Sequence, residues 1–237
     1  MSSLRIVSLV PSITETLLAW GIEPVAVTRF CEQPTLRAVG GTKDPDIEAI
    51  VALRPDLVVV DEEENRRPDA DALVAAGVAL HVTAVRSVAE VLPMLERLAV
   101  ACGYHGPLSE AVVSAATVEG VVDVSTAVRT AFVPIWRRPW MTINDDTYGA
   151  SILAAIGITN VFGGANDRYP TVALDDVRAR RPDVVLLPSE PYPFAARHVA
   201  ESASIAADVH LVDGRDLFWW GARTAGAIAR LGQLLGS

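Results

Sequence analysis

The chain has 237 residues, 51% of them hydrophobic and 21% charged, enough apolar material for one large core or two smaller ones. This balance excludes intrinsic disorder, and the composition is not collagen-like, coiled-coil or that of a disulfide scaffold. A net charge of −9, with Lys43 the single lysine among twenty basic residues, argues against nucleic-acid and membrane-surface partners.

In chain order, residues 6–10 (IVSLV) form a short apolar run of the kind that makes a buried strand. Pro11 and Ser12 follow, then a helical stretch over 14–20 closed by Gly21. Ser12 with Glu15 has capping-box spacing, and glycine suits the residue just past a helix end. Residues 25–28 read as a second strand and 46–53 as a helix, and Arg54-Pro55-Asp56 leads into a strand at 57–60. Residues 87–129 are mostly helical in spacing and read as a stiff connection. The pattern then restarts: an apolar run at 131–135, a helix over 147–156 closed by Gly157, a helix over 174–180, and Arg181-Pro182-Asp183 leading into 184–187. A last helix spans 224–235.

The restart is a weak internal duplication. "LLAWGIEPVAV" parallels "LAAIGITNVF", "IVALRPDLVVV" parallels "VRARRPDVVLL", and "LVAAGVALHVT" parallels "ASIAADVHLVD". Fully apolar strands alternating with helices predict parallel sheets covered on both faces. The expected organisation is an α/β fold of two Rossmann-like lobes, residues 1–103 and 130–237, bridged by a long helix over 104–129. In such sheets ligands bind at the carboxyl ends of the strands.

Those ends carry Pro11, Ser12, Phe30 and Asp61 in the first half, and Trp136, Arg137, Trp140, Tyr169 and Tyr192 in the second. The last loop there adds Trp219, Trp220 and Arg223. Of the chain's 14 aromatic residues, eight fall in these second-half loops, where polar residues are the rule. Flat apolar walls with a few arginines suit a bulky, partly planar ligand with polar edges. Each tryptophan could instead plug its loop against the core, and Arg223 could either hold an anion or pair with Asp216. Trp220→Ala is expected to weaken ligand binding with little loss of stability. Glu62, Glu63 and Glu64 read as a solvated loop or a site for a basic partner.

No GxSxG, Walker A or GxGxxG pattern is present, and the four histidines have no metal-ligand spacing. No metal site is therefore expected and no built-in cofactor loop is evident. An enzyme acting on a nucleotide or sugar, with Asp61, Glu190 and Arg137 as polar groups, is the alternative, and a protein-interaction module is a third reading. Cys31 and Cys102 are in no CxxC pattern and read as buried free thiols. No apolar run is long enough to span a membrane. Residues 1–21 do not read as a secretory leader, which predicts a cytoplasmic chain as written and an extracytoplasmic one if a leader was removed.

The phrases "RIVSLVPSITETLLAWG", "GGTKDPDIEAIVALRPDLVVV" and "IWRRPWMTINDDTYGASILAAIGITNVFGG…RYPTVALDDVRARRPDVVLLPSEPYPF" resemble the helical-backbone substrate-binding proteins of ABC importers. These serve vitamin B12 and ferric siderophores, and the cobalamin-binding branch is the most similar. The resemblance implies a monomer without catalytic activity that holds cobalamin, another corrinoid or a related metal chelate in the cleft between lobes and delivers it to an ABC permease. A ferric siderophore or haem is the alternative ligand. It implies that Phe30 stands where an aromatic contacts the corrin, while Lys43 and Glu62 replace tryptophans common in that branch. It further implies ligand contact by the loop holding Trp219, Trp220 and Arg223, and permease docking by Glu48, with Glu201 as its second-lobe counterpart.

Overall fold

The computed structural model describes residues 4–108 and 129–236. The expected bridging helix lies, except for its ends, outside the described residues. Two compact units emerge. One is built on residues 4–85 and 90–108 with Trp220–Ala222, the other on Arg86–Ala89, 129–219 and 223–236. The two short exchanges at 86–89 and 220–222 were not legible in the sequence, because they follow spatial packing rather than chain order.

The first unit runs β1 (Ile6–Ser8), α1 (Pro11–Ala19), β2 (Ala26–Val27), a 3₁₀ turn (Arg29–Cys31), α2 (Ile47–Ala52), β3 (Leu57–Asp61), α3 (Arg67–Ala75) and β4 (Leu80–Thr83). Most of α4 (Val88–Cys102) belongs to it as well. Its sheet is parallel in the order β2-β1-β3-β4. The second unit contains β5 (Arg129–Phe132), β6 (Trp140–Met141), α5 (Tyr148–Ala154), β7 (Ile158–Asn160), β8 (Thr171–Val172) and α6 (Leu174–Arg180). It continues with β9 (Val184–Pro188), α7 (Ala196–Ser202), β10 (Asp208–Val212), α8 (Gly214–Phe218) and α9 (Thr224–Leu235). Its main sheet is parallel in the order β7-β5-β9-β10, the same path as in the first unit. The antiparallel pair β6–β8 has no counterpart there.

The duplication extends to atoms. Before β1, the Arg5 N–H donates to Asp56 Oδ2 (2.7 Å) and Arg5 accepts from the Asp56 N–H (2.9 Å). At β5, the Thr130 N–H donates to Asp183 Oδ2 (2.7 Å) and Thr130 accepts from the Asp183 N–H (2.9 Å). In each Arg-Pro-Asp phrase the arginine turns left-handed, with φ of 47° at Arg54 and 48° at Arg181. The proline then fixes an extended approach, and the aspartate clamps the neighbouring strand.

The central strands β3 and β9 are buried at every residue, as covered parallel sheets require. In the first unit Val7, Leu9, Val58 and Val60 pack with Ile50 of α2 and Leu73 of α3. In the second, Phe132, Val185 and Leu187 pack with Phe162, Val177 and Phe194.

One local expectation is corrected. Helix α1 begins at Pro11 with Val10 as its N-cap, and no side chain caps it, so Ser12 with Glu15 is not a capping box. Proline preset for the first helical position moves the start one residue ahead of Ser12. Its C-terminus is as expected. Gly21 (φ +74°) and Ile22 donate to Leu18 and Leu17, the paired bonds of a Schellman end. Both cysteines are free and buried.

Candidate functional site

In the first unit β1 delivers Pro11 and Ser12 to the start of α1, and β2 delivers Phe30 to the 3₁₀ turn. Ser12 is buried, and its carbonyl accepts from Thr16 Oγ1 (3.0 Å). Phe30 is 51% exposed, with the Arg29 guanidinium 4.8 Å from its ring centre. Both oxygens of Asp44 hold Arg29 in place (2.9 and 3.0 Å). Lys43 is exposed, and its Nζ donates to the Glu63 carbonyl, tying two strand-end loops together.

Asp61 ends β3 and is buried rather than presented. Its Oδ2 accepts from Thr83 Oγ1 (2.7 Å) and its Oδ1 from the Glu63 N–H (2.9 Å). Burial raises its pKa, opposed by those hydrogen bonds. Beside it stands Asn65, which the sequence did not single out. Its Nδ2 donates to the carbonyls of Leu9 (3.2 Å) and Thr42 (2.9 Å), and its Oδ1 accepts from the Asp61 N–H (2.8 Å). One buried amide thus ties the loops after β1, β2 and β3, and no motif in the sequence marks it.

In the second unit the predicted aromatics divide by environment. Trp136 is 45% exposed and Tyr169 38% exposed, the latter with Arg168 5.7 Å from its ring centre. Trp140 and Tyr192 are half-buried against the unit's own core. Trp140 stacks on Phe194 (6.0 Å, 15°), and Tyr192 tilts onto Phe194 at 4.7 Å. These two therefore also serve the loop-plugging role. Trp219 has the guanidiniums of Arg215 and Arg223 at 5.1 and 5.4 Å from its ring centre.

Trp220 is 5% exposed, so the expectation that its truncation would spare stability is corrected: a side chain this buried packs in the unliganded protein. At the next residue, Gly221 (φ +119°), a Cβ would sit 2.3 Å from Thr16 Oγ1, which accepts from the Ala222 N–H (3.1 Å). Only glycine fits that approach.

Of the two readings of Arg223, the pair with Asp216 is formed. This buried carboxylate accepts from Arg223 (3.1 Å) and from Arg230 (2.8 and 2.6 Å). Arg137 and Glu201, expected to meet ligand and permease respectively, are joined to each other. One amino group of Arg137 donates to both Glu201 oxygens (2.7 and 2.8 Å). Glu48 sits exposed in the first turn of α2. Among the described residues, no group of three or more His, Cys, Asp or Glu is placed to hold a metal ion, and no helix is long and apolar enough to cross a membrane.

The strand-end loops therefore offer exposed aromatic faces with guanidiniums beside them, on scaffolds fixed by buried polar ties. Solved structures with this fold include the periplasmic vitamin B12 binding protein of Vibrio cholerae (TM-score 0.78, 21% identity, 99% of this chain and 97% of that one). The periplasmic heme-binding protein from Roseiflexus sp. RS-1 in apo form is another (TM-score 0.80, 23% identity, 98% and 97%). Among sequence relatives, a vitamin B12-binding protein of Salmonella paratyphi A is 25% identical over 190 residues, covering 77% of this chain and 71% of the relative. One of Yersinia pestis is 26% identical over 197 residues, covering 77% and 69%. Residues 6–202 match the family described as periplasmic binding protein, a span that holds nearly all of the three phrases on which the resemblance rests. The chain belongs to the periplasmic binding protein family.

Proposed function

We propose that the chain is a non-enzymatic binding protein for a corrinoid or a related metal chelate, the substrate-binding component of an ABC importer. The strand-end loops supply the flat contacts, Phe30 in the first unit and Trp136 and Tyr169 in the second. The carrying observation is that these three rings are exposed at the strand ends of a duplicated fold whose other aromatics are buried or half-buried. Relatives named vitamin B12-binding proteins support the corrinoid. In this reading the protein works as a monomer on the outer side of the membrane, and Glu48 meets the permease.

A second reading has its own observation. Phe30, Tyr169 and Trp219 each have an arginine over the ring, at 4.8, 5.7 and 5.1 Å. An aromatic face beside a guanidinium suits a macrocycle or chelate with carboxylate edges, such as haem or a ferric siderophore, better than an uncharged corrin rim. Titration with cyanocobalamin, dicyanocobinamide, haemin and a ferric siderophore, followed by absorbance and heat, separates the two. Tightest binding of a corrinoid supports the first, and tightest binding of an anionic chelate supports the second. If none binds with a Kd below about 100 μM, roughly −5.5 kcal/mol, both fail.

A further inference from the structure

We propose that Arg137 and Glu201 are positioning residues: their ion pair sets the pose of Trp136 for the ligand, and neither side chain is itself a ligand or permease contact. The inference rests on the proposed ligand-binding reading and adds a residue-level device to it.

The geometry begins at the backbone. Trp136 lies in the loop past the end of β5, and its carbonyl accepts from the Met141 N–H (3.1 Å), so its main chain is fixed while its ring remains 45% exposed. Among the described residues its ring contact is edge-on to Tyr192, at 5.7 Å and 80°. An exposed indole on one edge contact keeps rotamer freedom, and a ligand would have to remove that freedom on binding. The next residue limits it. The Arg137 guanidinium is 5.8 Å from the Trp140 ring centre and is held charged by Glu201 first and by Tyr192 to a smaller extent. The ion pair thus joins the Trp136–Trp140 loop to helix α7, which carries Glu201, and Tyr192 packs on the same helix through His198 (5.8 Å).

Two details show that the arginine of the pair is committed inward. The Arg137 side chain is only 19% exposed. Its Nε is buried with no hydrogen-bond partner among the described residues. An arginine free to choose pairs with a carboxylate through a two-nitrogen fork. Here a single amino group serves both Glu201 oxygens, and Nε goes unmet. That orientation turns the guanidinium to α7, and Tyr192, packed on His198 of the same helix, is the ledge on which Trp136 sits.

The test pairs Glu201→Gln with Trp136→Ala and reads affinity for haemin or cyanocobalamin, whichever the wild type binds. Glu201→Gln should weaken binding roughly tenfold with little change in melting temperature, and in the Trp136→Ala background it should have no further effect. Effects that multiply, or an unchanged affinity in Glu201→Gln, would overturn the proposal. A second measurement needs no ligand. In protein labelled with 5-fluorotryptophan, the Trp136 line, assigned through Trp136→Phe, should narrow in Glu201→Gln as the ring is freed. The Trp140 line, held by Phe194, should keep its width. An unchanged Trp136 line refutes positioning even if every probe fails to bind, an outcome that would refute the ligand reading alone.

Discussion

Asp56 and Asp183 perform one task in the two units, holding the start of a neighbouring strand through a carboxylate and a backbone N–H. The Thr130 N–H and hydroxyl hold the Asp183 carboxyl below the usual aspartate range. A depressed folded pKa means the stabilisation is complete above the unfolded value of about 4 and is lost as pH falls through the folded one. Asp183→Asn should therefore lower the urea midpoint at neutral pH and flatten the loss of stability on acidification. A mutant as acid-sensitive as the parent would contradict the assignment. The preceding arginines make an opposite case. Arg54 and Arg181 occupy left-handed backbone where a Cβ is costly. Arg54→Gly and Arg181→Gly should each raise stability by about 0.5 kcal/mol, the relieved strain less glycine's greater entropy loss, as read by chemical denaturation.

At the scale of elements, the aromatic loops divide between packing and presentation. Trp140 stacks on Phe194, and Trp220 is 5% exposed, so alanine at either should cost roughly 2–4 kcal/mol and lower the melting temperature by several degrees. Trp136→Ala, at a ring 45% exposed, should leave the melting temperature nearly unchanged and weaken ligand binding. The reverse pattern in calorimetry would invert the site. The sequence makes the strands and helices legible, because apolar runs, Arg-Pro-Asp phrases and terminal glycines act locally. It also places the aromatic loops, since strand ends follow from strand order. It does not reveal which rings turn inward, as between Trp136 and Trp140. Nor does it reveal that Asn65 would bind three loops or that Arg137 would meet Glu201. Those outcomes depend on side chains brought together by tertiary contact, which leave no periodic trace.

At the scale of the molecule, two sheets with the same strand path and the same aspartate clamp carry different strand-end chemistry. The first unit presents Phe30 beside Arg29 over loops joined by buried ties, and the second presents Trp136 on the edge of Tyr192 and Tyr169 beside Arg168. Duplication supplies the scaffold, and under the proposed function the divergent strand ends supply selectivity, as expected where function lies in sites grafted on a fold. The most direct measurement is the visible spectrum of the protein purified from its native host grown with corrinoid and haem available. Corrin or haem bands that co-elute with the chain, and that are lost from Trp136→Ala, are the expected result. A colourless protein that also takes up no chelate when titrated would contradict the assignment at its root.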